Sequence, residues 1–200
     1  MGFLRLLAAG RTAVLDGFFS GLTYFGSELA FMAAALLMFW CIDKRQGYYV
    51  FLVGAFGTIC NQFLKLAFRI PRPWVLDPEF QIVEAARADA TGYSFPSGHV
   101  TAAAAGMTAL CLMRGRKLVV PSVIVVLLMA ISRNYLMAHY PSDVLFAAII
   151  GVASAFIAYY ITRLIFRLLE DHEDAGICAF VLNFDLPVRL PGGYKGRHEK

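Results

Sequence analysis

Cysteine and charge are both scarce in this chain, and each shortage removes a class of protein. The four cysteines, Cys41, Cys60, Cys111 and Cys178, form no Cys-x-x-Cys pair. Neither a disulfide framework nor a zinc site is therefore expected, and the thiols read as small packing residues. Charged residues are 16% of the sequence and the formal net charge is only +4, coming partly from short connections, which gives no reason to expect a nucleic-acid partner. The N-terminal stretch also lacks an unbroken apolar core followed by a small-residue cleavage site, so no removable signal peptide is expected.

What the chain has in quantity is apolar sequence: 59% of its residues are hydrophobic and the mean hydropathy is +0.63, well above a soluble domain. Roughly 20 apolar residues cross the hydrocarbon of a bilayer as a helix. Five stretches reach or approach that length, at about 22–41, 48–68, 97–113, 118–136 and 144–166. The expected fold is all-α, a polytopic membrane helix bundle with about five transmembrane helices. In residues 1–20, Arg5, Arg11 and Asp16 interrupt the apolar residues, a pattern suited to an N-terminal helix lying in the membrane interface. The organisation read from this is an interfacial helix over 1–20, a membrane domain over 21–169 and a cytoplasmic tail over 170–200.

Basic residues follow the first, third and fifth stretches: Lys44 and Arg45, then Arg114, Arg116 and Lys117, then Arg163, Arg167 and the tail. By the positive-inside rule that side is cytoplasmic in a plasma-membrane protein, with the C-terminus inside and the opposite face outside.

Against this apolar background three polar blocks stand at fixed spacing. The first is Lys65, six residues, then Arg72-Pro73; the second is Pro96-Ser97-Gly98-His99; the third is Ser132-Arg133, five residues, His139, three residues, Asp143. They supply three cations, two histidines, a carboxylate and a glycine turn. Phosphoryl transfer needs fixed cations and donors around the equatorial oxygens, a nucleophile behind phosphorus and an acid at the leaving oxygen.

With alternating spans, all three blocks fall at one face of the bundle. Pro71 and Pro73 disfavour helix at Ile70 and Arg72, so the second span is expected to stop near Arg69 with Lys65 in its last turn and Arg72 extended. Trp74 reads as an interfacial anchor, and the loop from Trp74 to Phe95, with Asp77, Glu79, Glu84 and Asp89, as a polar lid or rim. Pro96 and Ser97 start a helix whose N-terminus offers unpaired amides to an anion, with Gly98 allowing close backbone approach. Pro141 opens the last span, placing His139 just before it and Asp143 inside its start. His139 is thus the histidine with a carboxylate at hand, and Asp143 is expected to accept a hydrogen bond from one imidazole nitrogen, fixing its tautomer and orientation. Arg69 and Arg87 read as headgroup or rim charges, and His172 and His198 as polar residues of the tail.

The three blocks, in this order and spacing, resemble the signature of the type 2 phosphatidic acid phosphatase superfamily, from Lys65 to Asp143. The resemblance implies His139 as nucleophile, His99 as general acid, and Lys65, Arg72, Arg133, Ser97 and Gly98 as the phosphate-binding groups. It also implies a phosphohistidine intermediate, with no cofactor and no metal, since the cations take the metal's part. The expected activity is a membrane-embedded lipid phosphatase acting on a lipid phosphate or polyprenyl diphosphate, such as undecaprenyl diphosphate, phosphatidylglycerol phosphate or phosphatidic acid. The alternatives are a phosphatase for soluble phosphate esters and a non-catalytic, transporter-like anion-binding membrane protein. The latter has no need of a nucleophile paired with an acid. Oligomeric state is left open by the sequence.

Overall fold

The computed structural model describes residues 2–77, 80–88 and 90–170. The tail expected over 170–200, including Cys178, His172, His198 and the apolar stretch Ile177–Leu186, falls outside the described residues apart from the backbone of Glu170, and so do Glu79 and Asp89. The described chain is helical without strands: α1 Gly2–Ala9, α2 Ala13–Tyr24, α3 Glu28–Leu37, α4 Lys44–Phe68, α5 Pro73–Leu76, α6 Glu84–Arg87, α7 Gly98–Arg114, α8 Val119–Tyr135 and α9 Pro141–Glu170. A π-helical turn, Met38–Ile42, extends α3, and a 3-10 turn, Arg116–Leu118, leads into α8. The architecture is the expected all-α membrane bundle.

Local chemistry sets the helix boundaries. Thr12, Ser27 and Asp43 cap α2, α3 and α4, their side-chain oxygens accepting from Leu15 N at 3.3 Å, Ala30 N at 3.2 Å and Arg45 N at 2.7 Å. Arg69 ends α4 in the left-handed region at φ 50°, its amide bonded back to Lys65 O at 3.0 Å, just ahead of the two prolines. The stop falls where the Pro71 and Pro73 pattern places it. α8 closes in a Schellman motif: Met137 stands at φ 58° where glycine is usual, with Met137 N on Asn134 O at 3.1 Å and Ala138 N on Arg133 O at 3.1 Å. Met137 tolerates this backbone because it is buried against Leu4 and Phe80.

Two features depart from the sequence expectation. Residues 2–24 form two helices rather than one interfacial segment, because Thr12 starts a new helix. α2 then joins α3 and its π turn as a pair bent by 44° over Ala13–Ile42. The stretches Lys44–Leu76, Arg116–Tyr135 and Pro141–Leu168 are long and apolar enough to cross a membrane, and the bent pair makes a fourth if counted as one span. The second departure is α7, whose 17 residues reach only ~26 Å at ~1.5 Å per residue, short of the ~30 Å hydrocarbon. It lies inside the bundle between α4, α8 and α9, where protein surrounds it.

That interior position depends on small side chains. Ala104, Ala105 and Ala109 of α7 meet a face of α9 carrying Ala147, Gly151, Ser154, Ala155 and Ala158, all buried. Lipid removes the hydrophobic incentive for helices to associate, so close contact over small residues carries the packing. The larger apolar groups point outward, among them Leu145, Phe146, Ile149, Val152, Phe156 and Ile157 of α9, forming a lipid-facing belt. Trp74, expected as an interfacial anchor, is half-buried and packs against the clusters of Phe80, Ile82 and Ala86, with the Arg87 guanidinium 5.3 Å from its ring centroid.

Gly151 is the tightest point of the α7–α9 seam, since a Cβ there would lie 2.5 Å from Thr101 O and 2.8 Å from Ala105 N. Backbone cannot swing aside as a side chain can, so Gly151→Ala is expected to destabilise the bundle by about 1–3 kcal/mol. The check is a lower midpoint of thermal unfolding in detergent. An unchanged midpoint would show that the seam has slack.

Candidate active site

The C-terminal ends of α4 and α8 and the N-terminal ends of α7 and α9 converge at one end of the bundle, and hydrogen bonds tie them together. Ser97 N reaches Asp143 O at 3.4 Å, and Asn61 Nδ2 on α4 reaches Pro96 O at 3.4 Å and Thr101 Oγ1 at 3.1 Å. All three sequence blocks are thereby brought to one place.

His139 follows directly from the Schellman turn and is 2% exposed. Its Nδ1 lies 2.7 Å from the Ser94 carbonyl. A carbonyl can only accept, so Nδ1 carries the proton and the Nε2 lone pair faces inward toward Arg72, whose Nη1 is 3.4 Å away. Ser94 O is thus the nearer partner of Nδ1, with the expected Asp143 beside it. Asp143 Oδ2 stands 3.7 Å from Nδ1, while accepting from Ser94 Oγ and, at 3.0 Å, from Tyr140 N. The reason is positional. Asp143 is the third residue of α9 and closes half of a capping box onto the residue before the helix, so its oxygen serves the helix start and Ser94 first.

Arg72, also 2% exposed, is held by neutral main-chain oxygens. Nε donates to Gly92 O at 3.0 Å, Nη2 to Thr91 O at 2.7 Å and Nη1 to Ala138 O at 2.9 Å. The loop read as a polar rim is thus part of the site's frame. Its acids Asp77 and Glu84 pair at the surface with Arg5 and Arg87, and its apolar residues Ile82, Ala86 and Ala90 pack on Tyr135 and Leu136. Arg133 is fully buried and donates through Nη1 to Thr23 Oγ1 at 2.6 Å. Lys65 is half-buried in the last turn of α4, near enough for its charge to interact with Arg72 and Arg133.

The N-terminus of α7 completes the cluster. Ser97 occupies the cap position without using its side chain to cap, and its buried Oγ has no hydrogen-bond partner. His99 Nε2 is likewise enclosed and unpartnered, and the ring interacts electrostatically with Arg133, His139, Lys65 and Arg72. Gly98 leaves this helix end open, with 3.9 Å from a notional Cβ to Asn61 Oδ1. Backbone amides at a long helix's start, beside buried polar side chains without partners, are the groups that anion binding uses.

Next to it, a mostly apolar cleft of about 250 Å³ runs between α3, α4 and α7, from Asn61 and Gly98 at the site toward Phe31, Met32 and Phe51, with Glu28 at its edge. Among the described residues no three His, Cys, Asp or Glu side chains gather in a metal-holding group. Arg69 turns away to Leu66 O of its own helix, as a rim residue would.

Three supporting residues escaped the sequence reading. Asn61 had a signal, being an amide within an apolar span. Ser94 acts through its carbonyl and Thr23 through a contact 110 positions away, and neither leaves a local trace.

An all-helical membrane protein with buried cations, two histidines and a carboxylate around a helix N-terminus is a phosphoryl-transfer architecture. The chain belongs to the PAP2 superfamily, whose model matches residues 46–167. It is 33% identical over 161 residues, 78% of this chain and 79% of the relative, to undecaprenyl-diphosphatase BcrC of Bacillus subtilis (strain 168). It is 23% identical over 159 residues, 78% of this chain and 75% of the relative, to undecaprenyl-diphosphatase of Sulfolobus acidocaldarius. Among solved structures, Aquifex aeolicus LpxE superposes with a TM-score of 0.69 at 25% identity, covering 80% of this chain and 93% of that one. The PAP2-type phosphatidylglycerolphosphate phosphatase of Bacillus subtilis shares the fold, with a TM-score of 0.62 at 21% identity over 82% and 84% of the two chains. The protein is a membrane lipid phosphate phosphatase, a hydrolase of phosphoric monoester or diphosphate bonds.

Burial, with Arg133 and Arg72 nearby, pushes the His139 pKa below the ordinary imidazole value, against the opposing pull of Asp143. The ring therefore stays neutral where a free imidazole (pKa about 6.5) would be largely protonated. In 15N-histidine spectra at about pH 5.5, His139 is expected to show the neutral Nδ1–H tautomer. A protonated signal there would contradict the shift, and an Nε2–H tautomer the role of Ser94.

Proposed function

We propose that the chain hydrolyses undecaprenyl diphosphate, or a closely similar polyprenyl diphosphate, through a phosphohistidine intermediate. The observation that carries this reading is the unprotonated Nε2 of His139, which faces Arg72 Nη1 at 3.4 Å within a cluster of buried cations that adjoins an apolar cleft. His139 Nε2 attacks the terminal phosphorus as the bond to the bridging oxygen breaks. His99, protonated once the substrate's negative charge offsets the neighbouring cations, gives its proton to that oxygen, and the lipid monophosphate leaves. His99 then takes a proton from water, the water oxygen attacks phosphorus, and the P–N bond breaks to return neutral His139 with inorganic phosphate. Arg72, Arg133 and Lys65 hold the equatorial oxygens, with Ser97 Oγ and the Gly98 amide as further donors. Asp143 acts one step back, fixing Ser94 and the start of α9.

The cleft favours a lipid over a soluble ester, since its walls offer a hydrocarbon chain apolar contact beginning at the site. The identity to BcrC supports the diphosphate. Phosphatidylglycerol phosphate and phosphatidic acid fit the same chemistry and serve as competing substrates. Lys44, Arg45, Arg114, Arg116 and Lys117 lie at the helix ends opposite His139, which supports an outward-facing site in the plasma membrane with the C-terminus in the cytoplasm.

Phosphate release by the purified protein in detergent with EDTA, across undecaprenyl diphosphate, phosphatidylglycerol phosphate, phosphatidic acid and glucose 6-phosphate, tests the assignment. The diphosphate is expected to be hydrolysed fastest, and His139→Ala to lower the rate at least ~1,000-fold, as loss of a nucleophile does. Preference for glucose 6-phosphate, or full activity in His139→Ala, would overturn it.

A further inference from the structure

We propose that Thr23, in the first bent span, is the positioning residue for Arg133 and so belongs to the working site, although the sequence signature begins 42 residues later at Lys65. The inference rests on Arg133 acting as a phosphoryl-binding cation, as argued above.

α2 grips the end of α8 at three points. Ser132 Oγ donates to Phe19 O at 3.0 Å, Arg133 Nη1 to Thr23 Oγ1 at 2.6 Å and Tyr135 Oη to Asp16 Oδ1 at 2.8 Å. Arg11, just ahead of α2, adds Nη2 to Tyr135 O at 3.2 Å. The Thr23 contact is sealed, with Thr23 2% and Arg133 0% exposed. The turn that follows is wedged into the site as well: a Cβ on Gly26 would fall 2.7 Å from Met129 Cε on α8 and 3.2 Å from His99 O on α7. The α2–α3 bend therefore sits between the elements that carry Arg133 and His99.

The chemistry of a hydroxyl suits this task. A carboxylate at position 23 would hold the guanidinium more strongly but neutralise it, competing with the phosphoryl oxygens for the same charge. A threonine oxygen fixes the guanidinium without neutralising it. Arg72 is treated alike, its hydrogen bonds going to the main-chain carbonyls of Thr91, Gly92 and Ala138. Thr23 is the side-chain counterpart of that arrangement.

The test uses the full chain in detergent and compares wild type, Thr23→Val, Thr23→Ser, Arg133→Ala and the Thr23→Val/Arg133→Ala pair. Two quantities are read: kcat/KM for undecaprenyl diphosphate, and affinity for orthovanadate, an anion whose binding needs no turnover. Thr23→Val keeps the shape and loses the acceptor, so kcat/KM and orthovanadate affinity are each expected to fall about 10- to 100-fold, the range for a buried hydrogen bond to a charged group. Thr23→Ser restores most of the loss. In the Arg133→Ala background Thr23→Val costs nothing further, because the two residues act as one unit. Undiminished values in Thr23→Val, equal loss in Thr23→Ser, or the same loss without Arg133 would each overturn the positioning role. If wild type releases no phosphate from any lipid while orthovanadate affinity still depends on Thr23 through Arg133, the phosphatase assignment of the preceding section falls and the positioning role stands.

Discussion

Two guanidinium groups are buried at one end of an apolar bundle, and among the described residues Asp143 is the only carboxylate buried with them. Removing a cation from water is costly unless its donors are satisfied and its charge is answered. The fold answers these requirements separately. Hydrogen bonds come from neutral oxygens, on Thr91, Gly92 and Ala138 for Arg72 and on Thr23 for Arg133. Asp143 answers part of the Arg72 charge and stands 3.7 Å from His139 Nδ1, while its oxygens also accept from Ser94, Tyr140 and Ser142. A phosphoryl group entering this cluster meets donors already oriented, which is the condition for electrostatic stabilisation without reorganisation.

The rest of the bundle holds those donors in place. Four helix ends meet at the site, and each is fixed by local chemistry: a left-handed residue at Arg69, an open N-terminus at Ser97, a Schellman turn at Met137 and half a capping box at Asp143. The helices behind them pack through alanine and glycine, so their separation is set by backbone contact rather than by adjustable side chains. Positioning at the site is thus inherited from the α7–α9 seam, while the bulky residues face lipid.

What the sequence made legible, and what it did not, follows from how far each feature reaches along the chain. The end of α4 before Pro71, the helix start at Ser97 and Pro141 in the first turn of α9 are local, and the structure places each where the residues indicated. The three blocks were readable because phosphoryl chemistry restricts residue types at its contacts. The bend at Phe25–Ser27 was not readable, since it depends on Gly26 fitting against Met129 and His99. The packing of Trp74 depends on Phe80 and Ile82. The length of α7 misled because an alanine-rich helix reads as a marginal membrane span, whereas its small side chains suit it to the interior of the bundle. Asp143 was correctly paired with His139 in sequence, but the rival claims of Tyr140 N and Ser94 Oγ appear only once the chain has turned.

The acceptor that sets the His139 tautomer is a main-chain oxygen, and this shapes how the site is encoded. Its presence is written in the route the chain takes through residues 92–97 and not in the identity of any side chain. A survey of the site by alanine substitution would pass over it, because every replacement at position 94 keeps a carbonyl. What Ser94 contributes by identity is its hydroxyl, given to Asp143. Position 94 therefore carries two separable instructions, one in backbone geometry and one in side-chain chemistry. Replacing the peptide bond after Ser94 with an ester would weaken the first while leaving the second intact.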